Sequence, residues 1–81
     1  MVRLTAAARE QLARLPTSIR ARMYGLLERL EKWPNVSGAK PLRGNLAGQY
    51  RLRTGDYRLQ FFVVNNDIVI EQVGHRDGFY E

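Results

Sequence analysis

The spacing of hydrophobic positions changes once along this chain, dividing it into a helical and an extended part. Ile19, Met23, Leu26, Leu27, Leu30 and Trp33 recur at intervals of three and four, which makes one stripe of a helix. Arg20, Arg22, Arg29 and Lys32 fall on its other faces. Upstream, Thr5 precedes AAAREQLARL and can cap a helix over residues 6–15, with Pro16 ending it. Thr17 or Ser18 can cap the second helix, which Pro34 closes near Trp33. Joined at Leu15-Pro16-Thr17, the two helices form a hairpin that needs an apolar surface to cover. Residues 35–40 read as a polar loop.

Beyond that loop the period becomes two. Tyr50 and Leu52 alternate with Gln49, Arg51 and Arg53, and Thr54-Gly55-Asp56 supplies a turn in which Gly55 can take a positive φ. Tyr57, Leu59, Phe61 and Val63 then alternate with Arg58, Gln60, Phe62 and Val64. Asn65, Asn66 and Asp67 suit a two-residue primed turn, and a final strand runs over residues 68–73. Strict alternation puts Arg58, Gln60 and Phe62 on one face with Val69, Glu71 and Val73, and Leu59, Phe61 and Val63 on the other with Ile68 and Ile70. The second set is the more uniformly apolar and is expected under the helices. Arg58 and Glu71 are then expected to look out from the opposite face, with Arg51 and Arg53 beside them across the first turn; that turn can be two or three residues long, which leaves the facing of Arg51 and Arg53 open. Before Thr5, residues 2–4 can form one further, very short strand. The predicted architecture is a single α+β domain over residues 1–81: a helical hairpin on a small, twisted, antiparallel-rich sheet of three strands plus that short one.

Charge sharpens the picture. Thirteen basic against eight acidic residues give +5, and eleven of the thirteen are arginine. Arginine offers a planar fork that grips phosphate at two points, so the bias points to an anionic partner such as nucleic acid. Zero cysteines exclude a disulfide framework and a thiolate metal site, and fit a reducing cytoplasm. No run approaches a membrane span, and the first fifteen residues carry three arginines with no long apolar core, unlike a secretory signal. Lys40-Pro41-Leu42-Arg43-Gly44 lacks the glycine spacing and following helix of a P-loop.

Lys40-Pro41-Leu42-Arg43-Gly44-Asn45-Leu46, then Tyr50-Arg51-Leu52-Arg53, then Gly55-Asp56-Tyr57-Arg58-Leu59, then Gly74-His75-Arg76 and Tyr80 form an ordered set. Together with the helical hairpin before it, this set resembles the RelE/ParE superfamily of type II toxin–antitoxin toxins, closest to the RelE-like mRNA interferases. The resemblance implies a ribosome-dependent endoribonuclease that cuts mRNA in the A site and so inhibits translation. The message's own 2′-hydroxyl would attack the adjacent phosphate to leave a 2′,3′-cyclic product, without a metal or other cofactor. It implies catalytic arginines at Arg58 and Arg76 and a base-stacking tyrosine at Tyr80. Arg51 and Arg53 stand where some RelE members carry two lysines. Arginine cannot act as a base near neutral pH, so Arg53 is confined to an electrostatic role. Two other groups are candidates for the base, His75 before Arg76 and Glu71 on the working face, with an ion pair to arginine the alternative for Glu71.

Lys40, Arg43, Arg51 and Arg53 are expected to contact RNA backbone. Trp33, Phe61 and Phe62 are read as core or antitoxin-facing, and Tyr24 as structural. Implied partners are a short, acidic, partly disordered antitoxin, the ribosome with its mRNA, and operator DNA only through the antitoxin complex; no membrane is expected. Two other readings remain open. One is a ParE-like toxin that inhibits DNA gyrase by binding, although that branch usually lacks the arginines and tyrosine together. The other is an inactive RNA- or DNA-binding co-repressor module.

Overall fold

A computed structural model describes residues 1–78 of the 81. Tyr80 lies outside the described residues. Strand β1 (Val2–Leu4) leads into helices α1 (Ala6–Ala13) and α2 (Thr17–Leu30), followed by strands β2 (Lys40–Pro41), β3 (Gln49–Thr54), β4 (Tyr57–Val64) and β5 (Asp67–His75). Short 3₁₀ turns span Gly44–Leu46 and Arg76–Gly78. The sheet order is β1-β5-β4-β3-β2, with β1 parallel to β5 and the other pairs antiparallel. The helical hairpin on an antiparallel-rich sheet with a three-residue first strand is the α+β architecture that the periodicity predicts. A fifth strand, β2, was not expected. Its two residues sit at the end of what reads as a polar loop, too short to show a period, and only pairing with Tyr50 and Arg51 defines them.

Both β-turns are of the two-residue primed kind. Asn65 and Asn66 have φ of 49° and 68°, the left-handed pair that a type I′ turn requires, and they close Val64 against Asp67. Gly55 takes φ 62° as the first residue of the Gly55-Asp56 turn, closing Thr54 against Tyr57. These turns fix the register of β3, β4 and β5, and with it the facing of every side chain. Leu52, Leu59, Phe61, Ile68 and Ile70 face the helices and form the core with Ala8, Leu12, Met23, Leu26 and Leu30. Trp33, Tyr50 and Phe61 pack ring to ring at its edge, with centroids 4.9–5.4 Å apart. Phe61 thus belongs to the core as expected. Phe62 is on the other face, half-buried.

One local expectation is corrected. The second helix starts at Thr17 with Pro16 as its cap residue, and neither Thr17 nor Ser18 caps it by a side chain. Pro16 is extended (φ −54°, ψ 149°) and its carbonyl accepts from Arg20 N–H at 2.9 Å, which opens the helix one position earlier than a hydroxyl cap would. Tyr24, on the same helix, is 53% exposed.

The larger correction lies in β5, which extends to His75. A β-bulge shifts its register: Phe61 opposes Ile70, but Gln60 opposes Gln72, leaving Glu71 as the extra residue. Val73 therefore moves from the predicted arginine face to the core, opposite Leu59 and 4% exposed. Helix α1 holds this irregularity. Thr5 accepts from Ala8 N–H at 3.1 Å to cap α1, and its hydroxyl donates to the Glu71 carbonyl at 3.3 Å. β1 ends at Leu4, opposite Ile70, so beyond that rung it no longer covers β5. There the Val73 N–H donates to Gln11 Oε1 at 2.8 Å, a side chain standing in for the missing strand. Gln11→Leu keeps the size but orphans that donor. It is expected to destabilise the fold by about 1–2 kcal/mol in urea unfolding, with the m-value unchanged.

Candidate nucleic-acid interface

Strand β4 separates the core from the charge. Its odd-numbered residues face the helices, while Arg58 and Gln60 project from the opposite side of the sheet. The register puts Arg53 directly opposite Arg58, and two rungs away aligns Lys40, Arg51, Gln60 and Gln72 across four strands. Arg51, Arg53 and Arg58 thus gather on one face, with Lys40 at its edge. They differ in exposure. Arg53 is exposed, Arg51 is intermediate, and Arg58 is 7% exposed, so the arginine expected to look out is largely enclosed. Gly74 stands opposite Arg58 in β5. Gln60, also 7% exposed, donates from Nε2 to Gln49 Oε1 and forms a part-buried amide pair at the margin of the cluster. The alternating pattern placed Gln60 on this face, but nothing in it marked the residue as buried.

Crowded guanidinium groups oppose one another's charge. The Arg51 guanidinium is held below the usual arginine range, first by burial and then by the positive charges of Arg58 and Arg53. Positive charges gathered on one face favour an anionic ligand. A phosphate there meets fixed cations whose reorganisation cost was met on folding. Beside Arg51, Lys40, Pro41, Leu42, Arg43 and Leu46 line a groove of about 600 Å³, an apolar floor with a cationic rim. Arg43, expected to contact backbone, is exposed there.

Arg76 follows β5 in a 3₁₀ turn docked on the β3–β4 turn, where its N–H donates to the Asp56 carbonyl at 2.8 Å. Its guanidinium is 57% exposed, 3.8 Å from carboxylates of both Asp56 and Asp77. Exposed ion pairs of this kind contribute about 0–1 kcal/mol, so an incoming phosphate can displace them.

Neither candidate base joins the arginines. Glu71 is exposed at the bulge, and the ladder position opposite Gln60 is taken by Gln72. It forms no ion pair with Arg58 among the described interactions. His75 pairs with Tyr57, whose ring packs against the core and meets the imidazole edge-on at 5.2 Å. Its side chain therefore leaves the helix-facing side of the sheet, opposite the guanidinium cluster. Its Nδ1 accepts from the Asp77 backbone N–H at 3.2 Å, which places the neutral ring's proton on Nε2.

With that geometry, comparison with known proteins defines the class. Residues 2–78 match the family model described as ParE toxin of type II toxin–antitoxin system, parDE. Toxin RelG of Mycobacterium tuberculosis is 36% identical over 85 residues, covering 98% of this chain and 93% of that protein. The toxin–antitoxin complex RelBE2 from the same organism contains a chain of 37% identity that superposes with a TM-score of 0.82, covering 94% of this chain and 90% of the other. The isolated Escherichia coli RelE toxin shares the fold at 24% identity and a TM-score of 0.74, over 93% of this chain and 82% of that one. The chain belongs to the RelE/ParE superfamily of type II toxin–antitoxin toxins.

The crowding of Arg51 gives a direct test. Inorganic phosphate is expected to raise the thermal midpoint more than chloride at equal ionic strength, and Arg51→Gln to remove most of that difference. The variant serves as the reference for the general salting effect of phosphate on burial.

Proposed function

We propose that this chain is a metal-independent mRNA endoribonuclease acting on the ribosome, the toxin of a two-gene pair, in the cytoplasm. The observation that carries the reading is the convergence of Arg51, Arg53 and Arg58 on one sheet face, with Arg58 largely enclosed. In this reading the 2′-oxygen of the message attacks the adjacent phosphorus. The bond to the 5′-oxygen breaks, that oxygen takes a proton from solvent or the ribosome, and the products are a 2′,3′-cyclic phosphate and a 5′-hydroxyl. Arg58 and Arg76 offset the charge that builds on the phosphoryl oxygens, and Arg51, Arg53, Lys40 and Arg43 hold the flanking backbone. Tyr80 is assigned to stacking on a base, on the resemblance alone.

No side chain among the described residues is both beside the arginines and able to take a proton near neutral pH. The proton of the 2′-hydroxyl is therefore assigned to solvent or the ribosome, and the arginines to charge and alignment. The partner is assigned to an acidic, partly disordered antitoxin that folds over the basic surface, and operator DNA is met only through that complex. The crystallised toxin–antitoxin complex of the 37%-identical relative supports this assignment.

The matched family model carries the ParE name, which favours a second reading: a gyrase inhibitor that acts by binding. Mapping mRNA 5′ ends after induction, beside a gyrase supercoiling assay, separates the two.

Arg58→Ala and Arg76→Ala are each expected to suppress growth arrest with the fold intact, at a cost of roughly 3 kcal/mol or a hundredfold in single-turnover rate. Full arrest from the soluble double variant would sink the nuclease reading. His75→Gln is expected to cut at close to the parental rate with an unchanged pH profile. A loss of 10²-fold or more, on the scale of a missing general base, would instead return the proton to the imidazole.

A further inference from the structure

A second group of arginines lies outside the cluster, where β3 loses its neighbour. Strand β2 covers only Tyr50 and Arg51, so from Leu52 to Thr54 the strand is the open edge of the sheet. Arg53 sits on that edge. Besides facing Arg58, it lines a groove of about 570 Å³ with Arg29, Ser37, Gly38, Leu52 and Gly55. Helix α2 forms the far side. Arg22 and Arg29 are seven residues apart and so share one helix face, both exposed. Arg22 reaches the β3–β4 turn: a Cβ built on Gly55 would lie 3.5 Å from its Nη1. Arg29 is fixed from the other end, where its Nη2 donates to the Ser37 carbonyl. Among the described residues, none of Arg22, Arg29 or Arg53 has a carboxylate partner.

Gly25 lies between the two helical arginines on the same face, three residues after Arg22 and four before Arg29. It is an exposed glycine within a helix, and a Cβ added there would meet nothing within 4 Å. The core therefore does not demand a glycine, and helix propensity disfavours one by about 1 kcal/mol against alanine. What glycine provides is an open stretch of backbone between two guanidinium groups.

We propose that Arg22, Arg29 and Arg53, with the gap at Gly25, form a second phosphodiester subsite, onto which the RNA held by the sheet face continues around the β3–β4 turn. The inference rests on the RNA-cutting reading above and extends its substrate contact to helix α2. Arg53 belongs to both surfaces and joins them. A protein partner fits the groove less well. A peptide that folds on binding needs apolar anchors to offset its ordering entropy, and the only apolar side chain lining this groove, Leu52, is 1% exposed.

Binding is measured by fluorescence anisotropy with 2′-O-methyl RNA, which cannot be cut, as an oligomer of about twelve nucleotides and as a trimer too short to reach beyond the sheet face. Arg22→Gln is expected to weaken the longer RNA roughly five-fold or more. It is also expected to reduce the slope of log K against log salt by about 0.7, with trimer binding unchanged. Gly25→Gln, which fills the gap while favouring the helix, is expected to weaken the longer RNA without lowering the thermal midpoint. Arg14→Gln, the same charge change at the C-cap of α1, is the control for net charge and leaves both affinities nearly unchanged. Equal effects of Arg14→Gln and Arg22→Gln would overturn the subsite, as would an Arg22→Gln variant that binds both RNAs normally but loses affinity for the antitoxin. If Arg58→Gln weakens both RNAs while Arg22→Gln weakens neither, the subsite fails and the nuclease reading stands. Failure of the nuclease reading appears separately, as arrest by the Arg58 and Arg76 variants.

Discussion

Strand β4 must place a residue on alternate faces of the sheet at every step, and the molecule is organised around that constraint. Leu59 and Phe61 are completely buried under the helices, while Arg58 and Gln60 lie on the other side of the same backbone. No side chain in this strand can change face unless the register slips, and a slip would drive Arg58 into the core. The cost of putting an arginine among Leu12, Met23 and Ile70 is several kcal/mol, far above what any surface contact returns. The two short turns at Gly55-Asp56 and Asn65-Asn66 therefore do more than connect strands. Their positive φ angles hold the register, and the register holds the cations together.

The bulge at Glu71 is the second determinant. It releases β5 from strict alternation late in the strand and brings Val73 into the core. It also lets Gly74, rather than Val73, stand opposite Arg58. A valine there would have crowded the guanidinium. The bulge requires support, since β1 has ended, and the support comes from α1 through Thr5 and Gln11. The helical hairpin is thus tied to the arginine face through backbone contacts as well as through the core. The same bulge settles the histidine. With β5 shifted by one residue, His75 falls in register with Tyr57 and leaves the arginines.

Like charges crowded on one face oppose one another, and burial together with the charges of Arg58 and Arg53 holds the Arg51 guanidinium below the usual arginine range. Function sites commonly keep such strain, offset by the surrounding fold, because the same like-charge repulsion becomes attraction when a polyanion binds. Arg53, exposed at the open edge of β3, extends that field toward α2, where Arg22 and Arg29 stand on a face that the core does not use.

The length of the turn after Thr54, and with it the facing of Arg51 and Arg53, was decided only by the structure. The sequence alone determined the helical hairpin, the strand alternation and the primed turn among Asn65, Asn66 and Asp67. Each of these follows from local periodicity or local φ preferences, which are written into consecutive residues. It also carried the ordered motifs, from Lys40-Pro41-Leu42-Arg43 to Gly74-His75-Arg76, that resemble the RelE/ParE toxins. The tertiary structure alone decided that Arg58 and Gln60 are buried, that β2 exists, that Glu71 bulges and that His75 faces away from the cluster. A bulge replaces one ladder pair with contacts to Thr5 and Gln11, more than sixty residues away in sequence, and no local pattern records such a substitution. Burial likewise depends on what covers a face, whereas alternation specifies only which face a side chain takes.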